Sequence, residues 1–205
     1  MCSRNTFPKR ELKKSLYTII GTNRQFSPND SYFSTNWTGF SVIKDEYNYI
    51  KYYANSRVQF TDAYISEDDI PEGTMELVKT FKMFLPLTGP TNNQVINIPF
   101  IGGINSCCSR TYAPMYGASI DNEEKANNCI KYWKTKFLRM LVSAIKTTQH
   151  ATRMVYILVP LQDFTANSDI DWSQSISSID QQLYKKYGLT QEEIDYIEKT
   201  IKPME

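Results

Sequence analysis

The sequence holds one histidine, so any general-base or nucleophile-His chemistry must pass through His150. It sits in Gln149-His150-Ala151-Thr152-Arg153 with no paired nucleophile signal beside it. A loop histidine of this kind is more often a surface hydrogen-bonding group than a base. The same five residues do suit contacts to phosphates and base edges. Asn97-Ile98-Pro99-Phe100 has the outline of the Asn-Pro-Pro-aromatic loop that accepts the amino group of a flipped adenine, but Ile98 stands where the first proline is needed. Ile101-Gly102-Gly103-Ile104 lacks the third glycine of a nucleotide-cradling fingerprint and reads as a tight turn.

Glu11-Leu12-Lys13, Glu123-Glu124-Lys125 and Asp30 could be assembled into the acid and acid-x-Lys set of a magnesium nuclease. In a chain with 22 acids and 23 Lys plus Arg, such tripeptides arise by chance. Cys2, Cys107, Cys108 and Cys129 lack the paired spacing of a zinc site and read as reduced thiols. Tyr47, Tyr49, Tyr52, Tyr53, Arg57 and Phe60 interleave rings with positive charge, as single-strand binders do, although rings in strands usually pack on cross-strand neighbours. No metal site is expected, and no catalytic residue is assigned.

The formal charge is +1, so the whole-chain balance does not announce a nucleic-acid partner. Its distribution does more. Residues 125–153 carry seven bases (Lys125, Lys131, Lys134, Lys136, Arg139, Lys146 and Arg153) and no acid. Acids gather at 67–69 and toward the C-terminus. With 41% apolar and 22% charged residues the composition is that of a globular chain. No run approaches a membrane span or a signal-peptide core, which suggests a cytoplasmic location and no membrane partner.

The elements that must position these residues read as α+β: a mixed or antiparallel sheet, one long amphipathic helix and a C-terminal helical hairpin. Strands are expected over 16–20, 40–43, 47–53, 77–85 and 154–159, each rich in aromatic or β-branched residues. Asp121 or Asn122 caps a helix that runs to about Lys146, with Glu123 and Glu124 in its first turn. At 100° per residue, Ala126, Ile130, Trp133, Phe137, Leu141 and Ala144 form its core stripe. Opposite lie Lys125, Tyr132, Lys136, Arg139 and Lys146, an expected exposed basic face about 30 Å long. Ile176, Ile179, Leu183 and Tyr187 mark a short helix stopped by Gly188, and Thr190 with Glu193 opens another as a capping box. Residues 1–165 are thus read as one domain and 166–205 as a hairpin packed on it.

From residue 122 onward the chain resembles the C-terminal end of adenine-specific DNA methyltransferases of restriction-modification systems, some fused to a nuclease. The resemblance rests on Ala126-Asn127-Asn128, Tyr132-Trp133-Lys134-Thr135-Lys136-Phe137-Leu138-Arg139 and Lys146-Thr147-Thr148-Gln149-His150-Ala151-Thr152-Arg153. It continues through Val159-Pro160-Leu161-Gln162-Asp163-Phe164, Ile170-Asp171-Trp172 and Leu183-Tyr184-Lys185-Lys186-Tyr187-Gly188-Leu189-Thr190, closing with Ile197-Glu198 and Ile201-Lys202-Pro203-Met204. Upstream, Ser3-Arg4-Asn5, Phe81-Lys82-Met83-Phe84-Leu85-Pro86 and Asn105-Ser106-Cys107-Cys108-Ser109-Arg110-Thr111-Tyr112 follow the family order. Residues 8–78 do not align.

The resemblance implies a target-recognition domain for double-stranded DNA. It also implies a parent protein whose methyltransferase domain and S-adenosylmethionine site precede Met1, so that Met1 is a cut. The resemblance assigns no site residue; the basic segment itself offers Lys136, Arg139, Lys146 and Arg153 as candidate phosphate contacts, with Gln149 and His150 as candidates for base edges or sugars. The competing reading is a protein-interaction module that docks the methyltransferase on a nuclease or helicase through the acidic hairpin.

Overall fold

The computed structural model describes residues 15–26, 33, 37–53, 63–88 and 95–204. Cys2, Ser3-Arg4-Asn5, Glu11, Lys13, Asp30, Arg57 and Phe60 lie outside them. Within them the architecture is α+β: two three-stranded sheets, one mixed and one antiparallel, and five α-helices.

The mixed sheet has β1 (Ile50–Tyr53) at its centre, antiparallel to β2 (Tyr64–Ile65) and parallel to β5 (Ser106–Cys108). The antiparallel sheet has β3 (Lys82–Pro86) between β4 (Phe100–Gly103) and β6 (Tyr112–Met115). Because β3 is covered on both faces, residues 82–85 are all buried and the strand reads as a continuous run instead of an alternating one. Met83 and Leu85 join the helical core, whereas Phe84 joins the core of the mixed sheet. Gly102 is required at the crossing, since a Cβ there would stand 2.3 Å from the Phe84 ring.

Lys82 pins the two sheets together. Its ammonium is wholly buried and donates to Val78 O (2.8 Å), Gly103 O (3.2 Å) and Ser106 Oγ (3.2 Å). Burial pulls its pKa down to about 8. Val78 belongs to α1 (Met75–Lys79), so one side chain ties a helix, β4 and β5.

The strand expectations are met in part. Residues 50–53 and 82–85 are strand, but 77–79 complete α1 and 47–48 belong to a turn around Asp45, whose carboxylate accepts from the amides of Tyr47 and Asn48. Of 40–43, Ser41 alone pairs, with Tyr64. Residues 16–18 and 153–156 are 3-10 turns. Leu16, Val155 and Tyr156 are buried while Met154 is exposed, and short apolar runs do not distinguish a strand from a packed turn.

The single helix expected from 122 to 146 is two. α2 (Glu123–Lys134) is capped by Asn122, whose side chain accepts from Lys125 N, and it ends at Thr135. Thr135 has φ −66° and ψ 147°, and its hydroxyl accepts from Leu138 N to start α3 (Lys136–Ser143). This one extended residue rotates the second half of the stripe. Trp133 and Phe137 are buried as expected, yet Leu141 is half-buried and Ala144 exposed, while Leu138, Arg139 and Val142 turn inward. Tyr132, assigned to the solvent face, is fully buried and donates to Pro160 O at 3.0 Å.

The C-terminal hairpin is α4 (Ile176–Lys186) and α5 (Gln191–Thr200), joined through Gly188 at φ +65°. Thr190 and Glu193 form the capping box at the start of α5. Ile179, Leu183, Tyr184, Ile197 and Ile201 share one core with Met83, Trp133 and Leu138. Among the described residues, no helix is long and apolar enough to cross a membrane.

Candidate nucleic-acid interface

The start of a helix leaves four backbone N–H groups without intrahelical partners. For α3 those needs are met by Thr135 and by Asp180 of α4, whose carboxylate accepts from Lys136 N (3.0 Å) and Phe137 N (2.9 Å). Asp180 is 2% exposed. Burial pushes its pKa up to about 6, the two N–H bonds working against that rise and the nearby Glu198 adding to it.

Two of the expected DNA-binding charges, on the helix that this carboxylate starts, turn away from solvent. Arg139 is 1% exposed, and its guanidinium donates to Thr135 O (3.2 Å), Lys134 O (3.2 Å) and Lys202 O (2.7 Å). Lys136 is half-buried and ion-paired with Glu198 of α5, which also accepts from Tyr184 Oη at 3.0 Å. The expectation that Lys136 and Arg139 form an exposed basic face is therefore overturned. They clamp α3 to α4, α5 and the C-terminal tail. Lys125 pairs with Asp121 at 2.8 Å, and Lys131 donates to Trp172 O.

The remaining candidates are gathered in one exposed turn. Lys146 is half-exposed, and Thr147, Thr148, Gln149 and His150 are exposed in succession. The turn is anchored at its far end, where His150 bridges Thr88 and Ala151 N donates to Leu87 O at 2.8 Å, just beyond β3. Among the described residues, neither Gln149 nor His150 spends its side chain on an internal hydrogen bond. Arg153 follows, half-buried, with its guanidinium 3.9 Å from the centroid of the Tyr17 ring and its Nε buried without a partner. The structure thus brings Lys146, Gln149, His150 and Arg153 into one segment and separates Lys136 and Arg139 from it.

Other candidates resolve into structural roles. Phe100, the aromatic of Asn97-Ile98-Pro99-Phe100, packs against Tyr53, Phe84 and Tyr112 with ring centroids 5.0 to 5.8 Å apart. Gly103 (φ +71°) and Asn105 (φ +48°) make the tight β4–β5 turn. Cys107, Cys108 and Cys129 are buried, and burial raises all three thiols. Of the interleaved tyrosines, Tyr52 packs against Phe33, Trp37 and Phe40, Tyr49 bonds Glu67, and Tyr47 faces solvent.

No family model, curated protein or solved structure matches the chain. Function therefore has to be argued from the surface. Reading the sequence missed one feature of it, an apolar groove between α3 and α5 that becomes visible only once α3 has turned.

Proposed function

We propose that this chain is the DNA-recognition part of an adenine-specific methyltransferase of a restriction-modification system. In this reading the turn at residues 146–153 lies on duplex DNA. The observation that carries it is the run of four exposed polar side chains, Thr147 to His150, presented on a backbone pinned to the end of β3. The side chains of Gln149 and His150, without internal partners on a loop held by a rigid scaffold, are what base-edge and sugar contacts require. Lys146 and Arg153 flank the run and supply the phosphate contacts that fix its register. Lys136 and Arg139, spent on Glu198 and on the carbonyls of Lys134, Thr135 and Lys202, take no part in the DNA surface of this reading. S-adenosylmethionine would belong to the catalytic domain of the parent protein.

Fluorescence anisotropy with duplex DNA over a salt series tests this. Lys146→Ala flattens the plot of log affinity against log salt by about 0.9, since one fewer counterion is released. Gln149→Ala and His150→Ala lower affinity without moving that slope. An unchanged slope and affinity in all three variants would remove the turn from the DNA surface.

A further inference from the structure

We infer that the groove between α3 and α5 is a docking site for a basic amphipathic helix of a partner protein. The groove encloses about 500 Å³ and is lined by Phe137, Met140 and Leu141 from α3 and by Leu189, Tyr196 and Ile197 from the hairpin. Phe137 and Ile197 form its floor, 5% and 6% exposed, while Tyr196 stands up from its edge at 58%. An open trough between two helices accepts a third helix through anchors spaced at i, i+3 or i+4 and i+7. The unbranched thioether of Met140 can adjust to the shape of such an anchor.

Charge selects the occupant. The other two lining residues are Glu192 and Glu193, and no Lys or Arg lines the groove. The Glu193 carboxylate accepts from Thr190 N (2.8 Å) and Thr190 Oγ1 (3.0 Å), which holds its pKa below the usual carboxylate range and keeps it ionised. Two carboxylates beside an apolar trough favour a helix that brings Lys or Arg next to its apolar face. The same carboxylates disfavour an anionic lipid surface. The bases of α2 and α3 that a second copy could offer are largely spent at home, Lys125, Lys131, Lys136 and Arg139 all being bonded internally, which favours a separate partner.

The test uses the full chain and two labelled amphipathic peptides with the same leucine spacing, one carrying lysines on its polar face and the other glutamates. The lysine peptide binds saturably and the glutamate peptide does not. Tyr196→Asp weakens the lysine peptide about tenfold or more. Glu192→Lys weakens it too and gains binding to the glutamate peptide. Both side chains are exposed, so both variants melt with the parent chain. Equal affinity for the two peptides, or unchanged affinity in both variants, overturns the inference. So does concentration-dependent dimerisation that Tyr196→Asp abolishes, which would assign the groove to a second copy.

Discussion

Residues 136–139 and residues 146–153 look alike in the sequence, both basic and both free of acids. In the structure they differ in where the charge is spent. Lys136 and Arg139 meet the Glu198 carboxylate, four backbone carbonyls and the field of Asp180, whereas Lys146 and the four polar residues after it meet solvent. The lesson is that local charge counts do not locate a binding face. The acids that neutralise a basic segment can arrive from helices far along the chain.

The largest expected effect that separates the two regions is on stability. Arg139→Ala removes three charge-assisted hydrogen bonds and leaves the carbonyls of Lys134, Thr135 and Lys202 without their donor, at a cost of about 3 kcal/mol or more. Lys146→Ala costs no more than about 0.5 kcal/mol, as expected of a surface change. Urea unfolding of both variants checks this, and equal costs would erase the distinction.

Asp180 sharpens the comparison through pH. Its pKa is raised from 3.8 to about 6 in the folded chain, so the native state binds the proton more tightly than the unfolded state does. Its contribution is fully present below about pH 4 and is lost as pH rises through 6, amounting to about 3 kcal/mol. Asp180→Asn removes that slope. The stability of the original chain relative to the variant therefore falls between pH 4 and pH 7 in urea titrations. A difference that is flat with pH would mean that Asp180 is ionised without penalty.

The smallest effect concerns the residue that turns α3. Thr135→Ala loses the hydroxyl that accepts from Leu138 N and donates to Tyr132 O, at a cost of about 1 kcal/mol. Should the substitution instead raise the melting temperature, a continuous helix would be the better packing and the break would owe nothing to this cap.

Much of the local structure was legible. Asn122 as a cap, Gly188 as a left-handed stop and the Thr190–Glu193 capping box are short-range signals, because each is satisfied by atoms within a few residues. Most of the stripe of the first hairpin helix followed from helical periodicity, Ile179 and Leu183 being buried and Ile176 half-buried, whereas Tyr187 at its end is exposed. Trp133 and Phe137 are buried as the stripe predicted.

Tertiary structure alone decided the break at Thr135, the burial of Arg139 and the groove. Threonine tolerates a helix interior, so its residue type does not force a break. The amides that open α3 are satisfied by Asp180, a partner some forty residues away that no local pattern can nominate. Once those N–H groups are paired the helix restarts on a new phase. Arg139 then swings into the core, and Met140 and Leu141 are left beside α5. Sequence determined which residues could cap, stop or face inward, because those choices are made over one helical turn. It could not determine which charges stay in water, because that depends on which distant acids and carbonyls fold against them.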